Sequence, residues 1–480
     1  MESDWDGYLR LLPPPMTPRR AKGPIFDEDG RRQAGLSERF IRELEVFGGS
    51  KGRPPVFWLF NPFCEYEIAR GRPGFSPTIS ARALARDLEV VPTYLARETD
   101  AVIVEEPPRA AWLKQMREAG FVLPEFRRLG ATELPREHKV GGIEPWGWSP
   151  EVFERFRPWR ARLLALDGAS GEWCRGLLGS ADFQSTGLAQ FYSKSWSTEF
   201  FKDWLERHPE TNLFFSTKAD AGDVFTDWPS ARERLAQGLA AGTPWLAKAP
   251  WGTSGTQNRK FLSVEELDSS WGGWARKIVE SQGALVVEPL LEKVADLSLQ
   301  LEVTESGGKL LGVRRFFTGS RLEYRGTALD PKLSGLSSNE LKFLHGGALE
   351  NWRRLALDVA QALKTSGYRG PAGIDALLWR RGEQLFLKPL VELNPRWTMG
   401  RVALALEEHV LPGTPAGWFF LSVQEGREWR GRFPARLQRS RLAEGIVFTN
   451  DPETACEVVS VLVVGDEAVS TLKPAILRPA

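Results

Sequence analysis

The chain has 480 residues, with 63 Lys and Arg against 62 Asp and Glu, so its formal net charge is +1. This length allows roughly two to four domains with cores of their own, and the balanced charge argues against a nucleic-acid-binding surface. No apolar run is long enough to span a membrane, the acidic start of the chain is unlike a secretory signal, and its 3 cysteines form neither a disulfide framework nor a metal-binding pattern.

These properties predict a cytoplasmic protein with neither nucleic acid nor membrane as a partner.

Residues 1–54 are rich in Pro, Arg and Gly, and we expect them to form an arm around the first domain. That domain begins with the apolar runs Pro55–Phe60 and Ala101–Val104, which are typical of strands buried on both faces. Helical patterns follow the two runs, at residues 78–88 and 112–119. Strands that alternate with helices predict βαβ units around a parallel sheet.

Polar residues after these two strands are candidates for contact with a substrate. Ligands of parallel sheets bind beyond the carboxyl ends of the strands, where Asn61, Glu65, Glu105 and Glu106 would lie. The alternative for each residue is an ordinary loop position or a solvated charge.

A second signal is a strand at residues 243–250 that carries a lysine, Lys248, and is followed by a loop of small residues. Glycines in this loop allow backbone N–H groups to fold over phosphate oxygens, and the lysine would add a point charge. The order of residues is not that of a P-loop. The loop residues predicted to cover phosphates are Gly252, Thr253, Ser254, Gly255 and Thr256. The alternative is a plain hairpin turn.

The strand at residues 284–291 carries one carboxylate, Glu288, just before a proline. Main-chain groups after it, at Leu290 and Leu291, are predicted to contact the edge of an adenine ring, and Asp296 is placed to accept hydrogen bonds from ribose hydroxyls. Arginines cluster on or after the next hairpin, at Arg314, Arg315, Arg321 and Arg325. A solvated strand edge explains most of them, and one of them could contact a transferred phosphoryl group.

The stretch from Gly367 to Leu406 contains the sharpest pattern, a strand with Asp375 and a return strand with Glu392 and Asn394. Reversal between Glu383 and Gln384 would pair Asp375 with Glu392, whereas a tighter turn would pair Asp375 with Lys388. Both registers place Asp375, Lys388 and Glu392 on one face of the hairpin, and a bulge at Pro389 could absorb the difference between the two registers.

Two carboxylates and an amide oxygen on one face form a set of hard ligands that suits Mg²⁺ held partly by substrate phosphates. Arg396 follows, where a permanent cation could clamp a phosphoryl oxygen. The alternative is a hairpin with a solvated polar face.

The order of these motifs resembles that of the ATP-grasp superfamily over roughly residues 190–410. The matching features are a segment with Lys194, the lysine strand and glycine loop, the V-V-E-P-L-L strand, an amphipathic helix at residues 349–363, the G-I-D strand and the E-L-N-P-R ending. The D-alanine–D-alanine ligases, carboxylate–amine ligases of this superfamily, are the clearest comparison. They carry an arginine two residues before the strand aspartate, where this chain has Gly373. Arg396, Arg314 or Arg315 would have to supply that charge.

The resemblance implies an α/β protein that is α+β in its ATP-grasp part, with ATP between two sheets. It divides the chain into an arm (1–54), a pre-ATP-grasp βαβ domain (55–175), a central lid subdomain (176–288) and a C-terminal catalytic subdomain (289–480). Lys194 and Lys248 would bind phosphates, residues 252–256 would cover them, and Glu288 with the two leucines after it would hold adenine. Asp375, Glu392 and Asn394 would hold Mg²⁺, with Mn²⁺ as the alternative ion.

The implied reaction activates a small carboxylate with ATP as an acylphosphate and joins it to an amine, which gives an amide or peptide bond. Two alternatives are an ATP-grasp phosphotransferase and a non-catalytic ATP-binding regulatory protein. The sequence does not identify the carboxylate or the amine, although amino acids and peptides fit the reaction. It is compatible with a homodimer and does not establish the oligomeric state.

Overall fold

The computed structural model describes residues 54–128, 139–163, 170–252, 257–320 and 322–470. These residues form three sheets, the first parallel and the other two antiparallel. The α/β fold class predicted from the sequence, with a parallel sheet in the N-terminal region, is confirmed. The predicted arm lies outside the described residues except for Pro54, and the predicted domain boundaries stay predictions. None of the helices described is both long and apolar enough to cross a lipid bilayer.

The first sheet has the strand order β3-β2-β1-β4, and its strands are all parallel. The two predicted strands are both present at the centre of the sheet, and two further strands flank them at its edges. The strands are β1 (Val56–Leu59), β2 (Ala101–Val104), β3 (Glu125–Arg128) and β4 (Gly142–Pro145). The helices of this region are α1 (Cys64–Arg70), α2 (Ile79–Asp87), α3 (Ala110–Glu118), α4 (Pro150–Phe156) and α5 (Ser170–Leu177).

Two of these helices begin where their capping residues predict. The Thr78 side chain accepts a hydrogen bond from the Ala81 N–H at the start of α2. Ser149 does the same for the Val152 N–H at the start of α4, where Pro150 occupies the first turn and needs no N–H partner.

The second sheet has the order β5-β8-β6-β7 and is antiparallel. Two helices cover one face, and their apolar residues pack with Trp245 and Phe261 into a separate core. The elements from this part of the chain are α6 (Lys194–Arg207), α7 (Lys218–Ala221), β5 (Asp223–Phe225), α8 (Trp228–Ala240), β6 (Trp245–Lys248), β7 (Asn258–Phe261), α9 (Ser270–Gln282) and β8 (Leu285–Pro289).

The third sheet has the order β13-β12-β9-β10-β11-β14-β17-β16-β15, and every pair is antiparallel. Its strands are β9 (Glu292–Val303), β10 (Gly308–Thr318), β11 (Tyr324–Ala328), β12 (Gly370–Arg381), β13 (Gln384–Asn394), β14 (Ala416–Ser422), β15 (Arg436–Gln438), β16 (Arg441–Phe448) and β17 (Val458–Val464). The helices here are α10 (Ser338–Phe343), α11 (Leu349–Thr365), α12 (Met399–Glu407) and α13 (Val423–Trp429), with one π-helical turn at Leu344–Ala348. Short 3₁₀ turns lie at Val91–Tyr94, Arg157–Arg162, Gln184–Thr186, Ala189–Tyr192, Pro209–Leu213 and Val264–Asp268.

The two faces of β9 show how this sheet separates its core from its polar surface. Leu297, Leu299 and Leu301 are buried in the same core as residues of α11. Because side chains alternate along a strand, Ser298 and Gln300 lie on the opposite face. That polar face carries the candidate site.

Glu67 of α1 is a buried carboxyl group away from that face. The Ser149 hydroxyl donates a hydrogen bond to it, which ties α1 to the start of α4. Burial raises the pKa of Glu67 to about 7, with the nearby Glu151 carboxylate acting in the same direction. The folded protein therefore favours protonated Glu67 at pH values where the unfolded chain has ionised it.

We expect Glu67→Gln to stabilise the protein as the pH rises from 5 to 8. In the wild type, stability is lost between the unfolded pKa near 4.5 and the folded pKa near 7. An uncharged amide avoids this loss, so the gain should reach about 1–3 kcal/mol at pH 8. Urea unfolding at several pH values measures it. Glu154→Gln, at an exposed position on α4, is the matched control, and a pH-independent gain for Glu67→Gln would contradict the assignment.

Candidate functional site

The β12–β13 hairpin pairs Asp375 with Glu392, as one of the two predicted registers requires. The register shifts next to this pair, so that Leu377 lies opposite Lys388. Between the two pairs, β12 has one residue and β13 has three, of which Pro389 is the first. The predicted bulge at Pro389 is therefore present, and it keeps Lys388 and Glu392 on the same face.

Three oxygen-bearing side chains meet at the end of this hairpin. Asp375 accepts hydrogen bonds from the Ser298 hydroxyl at 2.7 Å and from the Asn394 amide at 3.2 Å. Burial, reinforced by the neighbouring Glu392 carboxylate, raises the pKa of Asp375 to about 7. Asp375, Glu392 and Asn394, which the sequence predicted as metal ligands, thus lie together. Two close carboxylates of this kind favour binding of a cation.

A hydrogen-bonded chain behind Asp375 fixes the position of its carboxylate. Thr398 donates to the Gln300 oxygen at 2.6 Å, and the Gln300 amide donates to the Ser298 hydroxyl at 2.8 Å. Gly400 makes room for this chain, since a Cβ there would lie 2.5 Å from the Gln300 amide nitrogen. Sequence analysis missed these residues, although the alternation D-L-S-L-Q-L over residues 296–301 marks a strand with one polar face.

Lys194 joins the carboxylates to the loop that follows β6. Its ammonium group donates to Glu392 Oε1 at 3.0 Å and to the carbonyl oxygen of Gly252 at 2.8 Å. The Lys194 N–H also donates to the Pro250 carbonyl at 2.9 Å, and the residue is only 4 % exposed. One side chain therefore spans the distance between the predicted phosphate loop and the predicted metal ligands. Gly252 and Glu392 are therefore both within hydrogen-bond distance of one ammonium group.

Lys248 lies at the end of β6 in a buried ionic cluster. Its ammonium contacts Glu288 Oε1 at 2.6 Å, and Lys388 contacts Glu288 Oε2 at 2.8 Å. Burial, the largest influence, acts against ionisation of Glu288, yet the two lysines hold the pKa of this carboxylate below its ordinary value. Lys388 was not predicted as a site residue, and its signal is a lysine inside an apolar strand.

The structure describes some of the remaining residues predicted to contact the nucleotide and leaves the others outside its described ranges. Gly252 is buried beside Lys194, whereas Thr253, Ser254, Gly255 and Thr256 lie outside the described residues. The Leu290 N–H donates to the Pro244 carbonyl at 2.8 Å, so this predicted adenine donor already has a backbone partner. Leu291 is half-buried beside it.

Asp296 lies on the polar face of β9, as Ser298 does. It accepts hydrogen bonds from Lys293 and Thr318, both at 2.8 Å. Its charge acts on the nearby Asp375 carboxyl and favours protonation there. The predicted ribose ligand therefore borders the carboxylate cluster.

The predicted arginines take three different positions. Arg396 lies nearest the carboxylates and forms a buried ion pair with Glu65 of the first domain. Although burial disfavours its charge, Glu65 holds the pKa of Arg396 above its ordinary value, and Glu392 acts in the same direction. Arg314 lies opposite Ser298 on the polar face and pairs with Glu407 of α12.

Arg315 does not share the polar face. It lies opposite Leu297, whose side chain is in the core beneath α11, and its guanidinium packs over the Phe317 ring at 5.3 Å. Adjacent strand residues point to opposite faces, so the Arg315 side chain leaves β10 on the face opposite Asp375. Arg396 and Arg314 are therefore the better-placed candidates, and the role predicted for Arg315 stays a prediction.

The weaker substrate candidates, which follow the parallel strands β1 and β2, differ from one another in their contacts. Glu65 reaches Arg396, whereas both polar groups of the Asn61 side chain bond to the backbone of Gly147. Glu105 and Glu106 are exposed. Among the described residues, no three His, Cys, Asp or Glu side chains form a group that could hold a metal ion.

Comparison with known proteins gives similarity in structure alone. No protein-family model matches the chain, and no curated protein matches it by sequence. The chain is similar to N5-carboxyaminoimidazole synthetase from Staphylococcus aureus in complex with ADP, at 10 % identity and a TM-score of 0.44, over 88 % of this chain and 96 % of that one. It is also similar to the biotin carboxylase domain of Hydrogenobacter thermophilus 2-oxoglutarate carboxylase in complex with MgADP, ADP and bicarbonate, at 14 % identity and a TM-score of 0.46, over 88 % and 89 %. Biotin carboxylase from Campylobacter jejuni gives 14 % identity and a TM-score of 0.45, over 88 % and 90 %.

We expect Glu65 and Arg396 to be strongly coupled in stability. Each single substitution, Glu65→Gln or Arg396→Met, leaves an unpaired buried charge or polar group and should cost about 3–5 kcal/mol. The double variant should lose much less than the sum of the two, because no charge then stays unpaired. Urea unfolding of the four proteins gives the coupling energy. The exposed pair Arg128 and Glu106 supplies the control cycle, in which little coupling is expected, and equally weak coupling at Glu65 and Arg396 would contradict the buried pair.

Proposed function

We propose that this protein is an ATP-dependent ligase of the ATP-grasp type. In this proposal it converts a small carboxylate into an acylphosphate with ATP, releases ADP, and then joins the acyl group to an amine with release of phosphate. The nucleotide lies between the β5–β8 sheet and the polar face of the β9–β13 region. A cytoplasmic location and a homodimer, which the sequence permits, stay predictions.

The observation that carries this proposal is the position of Lys194. Its ammonium lies within hydrogen-bond distance of both Gly252 in the loop and Glu392 in the carboxylate cluster. A triphosphate chain is long enough to touch groups that a single lysine already joins. The loop and the carboxylates can therefore act on one nucleotide, which a solvated hairpin or an isolated glycine turn would not achieve.

The donor set at the hairpin fits a divalent metal ion. Asp375 and Glu392 offer carboxylate oxygens, and Asn394 donates its amide N–H to Asp375, which leaves its amide oxygen as a ligand. Asp375 lies opposite Glu392 in the hairpin, and burial together with the Glu392 charge raises the pKa of Asp375. Mg²⁺, or Mn²⁺ in its place, would neutralise this pair and supply Lewis-acid polarisation of the phosphates.

The side chains around this set provide what phosphoryl transfer requires, which is positioning and neutralisation of charge. Lys248 and Lys194 bring positive charge to the phosphates from the side of the loop. Arg396 lies beside Glu392 and is the candidate to stabilise negative charge as the γ-phosphoryl group moves. Little covalent help from the protein is needed, because the substrate carboxylate oxygen is the nucleophile.

The two steps balance without a further reagent. In the first step a carboxylate oxygen forms a bond to the γ-phosphorus as the bond to the ADP oxygen breaks. In the second step the amine nitrogen bonds to the acyl carbon, phosphate leaves, and the nitrogen loses a proton. The buried surroundings of Lys194 and Lys248 would exclude water, which would otherwise hydrolyse the acylphosphate.

Measurement of ADP release with pools of small carboxylates and amines tests the proposed function. We expect ADP release to depend on a carboxylate, and hydroxylamine to trap an acyl hydroxamate when the amine is left out. A phosphorylated hydroxyl product without hydroxamate would identify a phosphotransferase instead. Binding of ATP without ADP release under any combination would favour a regulatory nucleotide-binding protein.

We expect Glu392→Gln to abolish turnover while the fold stays intact. Removal of one charge that stabilises the transition state should cost about 3 kcal/mol or more, which is at least a hundredfold in kcat. Steady-state ADP release measures this loss, and near-ultraviolet circular dichroism checks the fold. Glu383→Gln, in the exposed turn of the same hairpin, is the matched control. Near-normal turnover of Glu392→Gln would remove Glu392 from the metal ligands.

A further inference from the structure

Lys388 is fully buried in the middle of β13 and is 2 % exposed. A buried ammonium group is unfavourable unless its N–H groups have acceptors and its charge has a partner. The Lys388 ammonium has three acceptors, namely Glu288 Oε2 at 2.8 Å, the Asp220 carbonyl at 3.1 Å and the Ala221 carbonyl at 3.0 Å. Three acceptors match the three N–H groups of a protonated lysine, so Lys388 is positively charged here.

The chain beside α7 is shaped to present these carbonyls to Lys388. Gly222 follows them with a φ of +95°, and a Cβ at this position would lie 2.7 Å from the Glu288 Cβ. Only glycine therefore lets the backbone approach β8 so closely. The Asp220 side chain is also held, since Arg381 of β12 pairs with it at 2.6 Å. Lys388 and Glu288 thus meet in a rigid setting.

The cluster of Lys248, Glu288 and Lys388 carries two positive charges and one negative charge. Each oxygen of Glu288 contacts one lysine, Oε1 with Lys248 and Oε2 with Lys388. Within the described part of the chain, the Lys248 ammonium pairs with Glu288 Oε1, at the end of β6 that leads into the predicted phosphate loop. The buried cluster has a net charge of +1, which an anion would balance.

We propose that Lys388 is a positioning residue for nucleotide phosphates, which acts by holding one oxygen of Glu288 away from Lys248. The inference rests on the proposed function, since it takes the phosphates of MgATP as the anion that Lys248 contacts. With Lys388 in place, Glu288 divides its negative charge between two lysines, and Lys248 keeps an excess of positive charge. Without Lys388, Glu288 neutralises Lys248 and the cluster has no net charge.

The test compares the affinity for MgADP of the wild type, Lys388→Met and the double variant Lys388→Met/Glu288→Gln by isothermal titration calorimetry. We expect Lys388→Met to weaken binding roughly tenfold or more, because a unit charge about 10 Å away at an effective dielectric constant of about 20 has an effect of that order. The double variant restores the net charge of +1 and should recover most of the wild-type affinity. Lys277→Met, at an exposed position on α9, is the control and should bind as the wild type does.

The outcomes separate this inference from the proposed function. A wild-type protein that does not bind MgADP contradicts the proposed function itself. A wild type that binds, together with a Lys388→Met variant of equal affinity, contradicts the inference alone. If Lys388→Met does not fold, the double variant decides: wild-type affinity supports the charge mechanism, and affinity weakened tenfold overturns it. A folded double variant no better than Lys388→Met also overturns it, since a purely structural role would not be rescued by removal of a negative charge.

Discussion

The candidate site depends on the pairing of charges that the fold buries between two sheets. Lys194, Lys248 and Lys388 come from three separate elements, and each is at most 5 % exposed. Charges at such depth are stable only beside opposite charges, and Glu288 and Glu392 supply them. Strand β8, Gly252 after β6 and the hairpin β12–β13 are therefore held together by ion pairs and hydrogen bonds as well as by apolar packing.

This arrangement makes the two ends of the site favour ligands of opposite charge. At the carboxylate end, burial and the neighbouring Glu392 charge raise the pKa of Asp375, so a cation would be favourable there. At the lysine end, the cluster around Glu288 has an excess of positive charge and gains from an anion. The metal–triphosphate complex of the proposed function would satisfy both ends at once, and Lys194 lies between them. Lys194 pairs with Glu392 at 3.0 Å and offsets part of the negative charge at the carboxylate end.

Much of the local structure could be predicted from the sequence, because it depends on neighbours in the chain. The apolar run Ala101–Val104 predicted β2 at its observed bounds, and the even spacing of Lys388 and Glu392 predicted that both lie on one face of β13. The pairing of Glu288 with Lys388, which are 100 residues apart, depends on how two sheets approach each other, and no local pattern contains that information. Alternation alone shows that Arg314 and Arg315 leave the strand on opposite faces. The register with β9 shows that Arg314 shares the face of Ser298.

The surplus residues after Lys388 set how far β13 can shorten without a change in its pairing. Three residues, from Pro389 to Val391, separate Lys388 from Glu392, and they face a single residue of β12. Loss of one would leave two residues opposite one, which is the count of an ordinary β-bulge, and loss of two would remove the bulge. Elsewhere in the strand the pairing is regular, and loss of one residue would turn every side chain beyond it to the other face. The stretch 389–391 is therefore the part of this hairpin in which length can vary while Asp375 stays opposite Glu392.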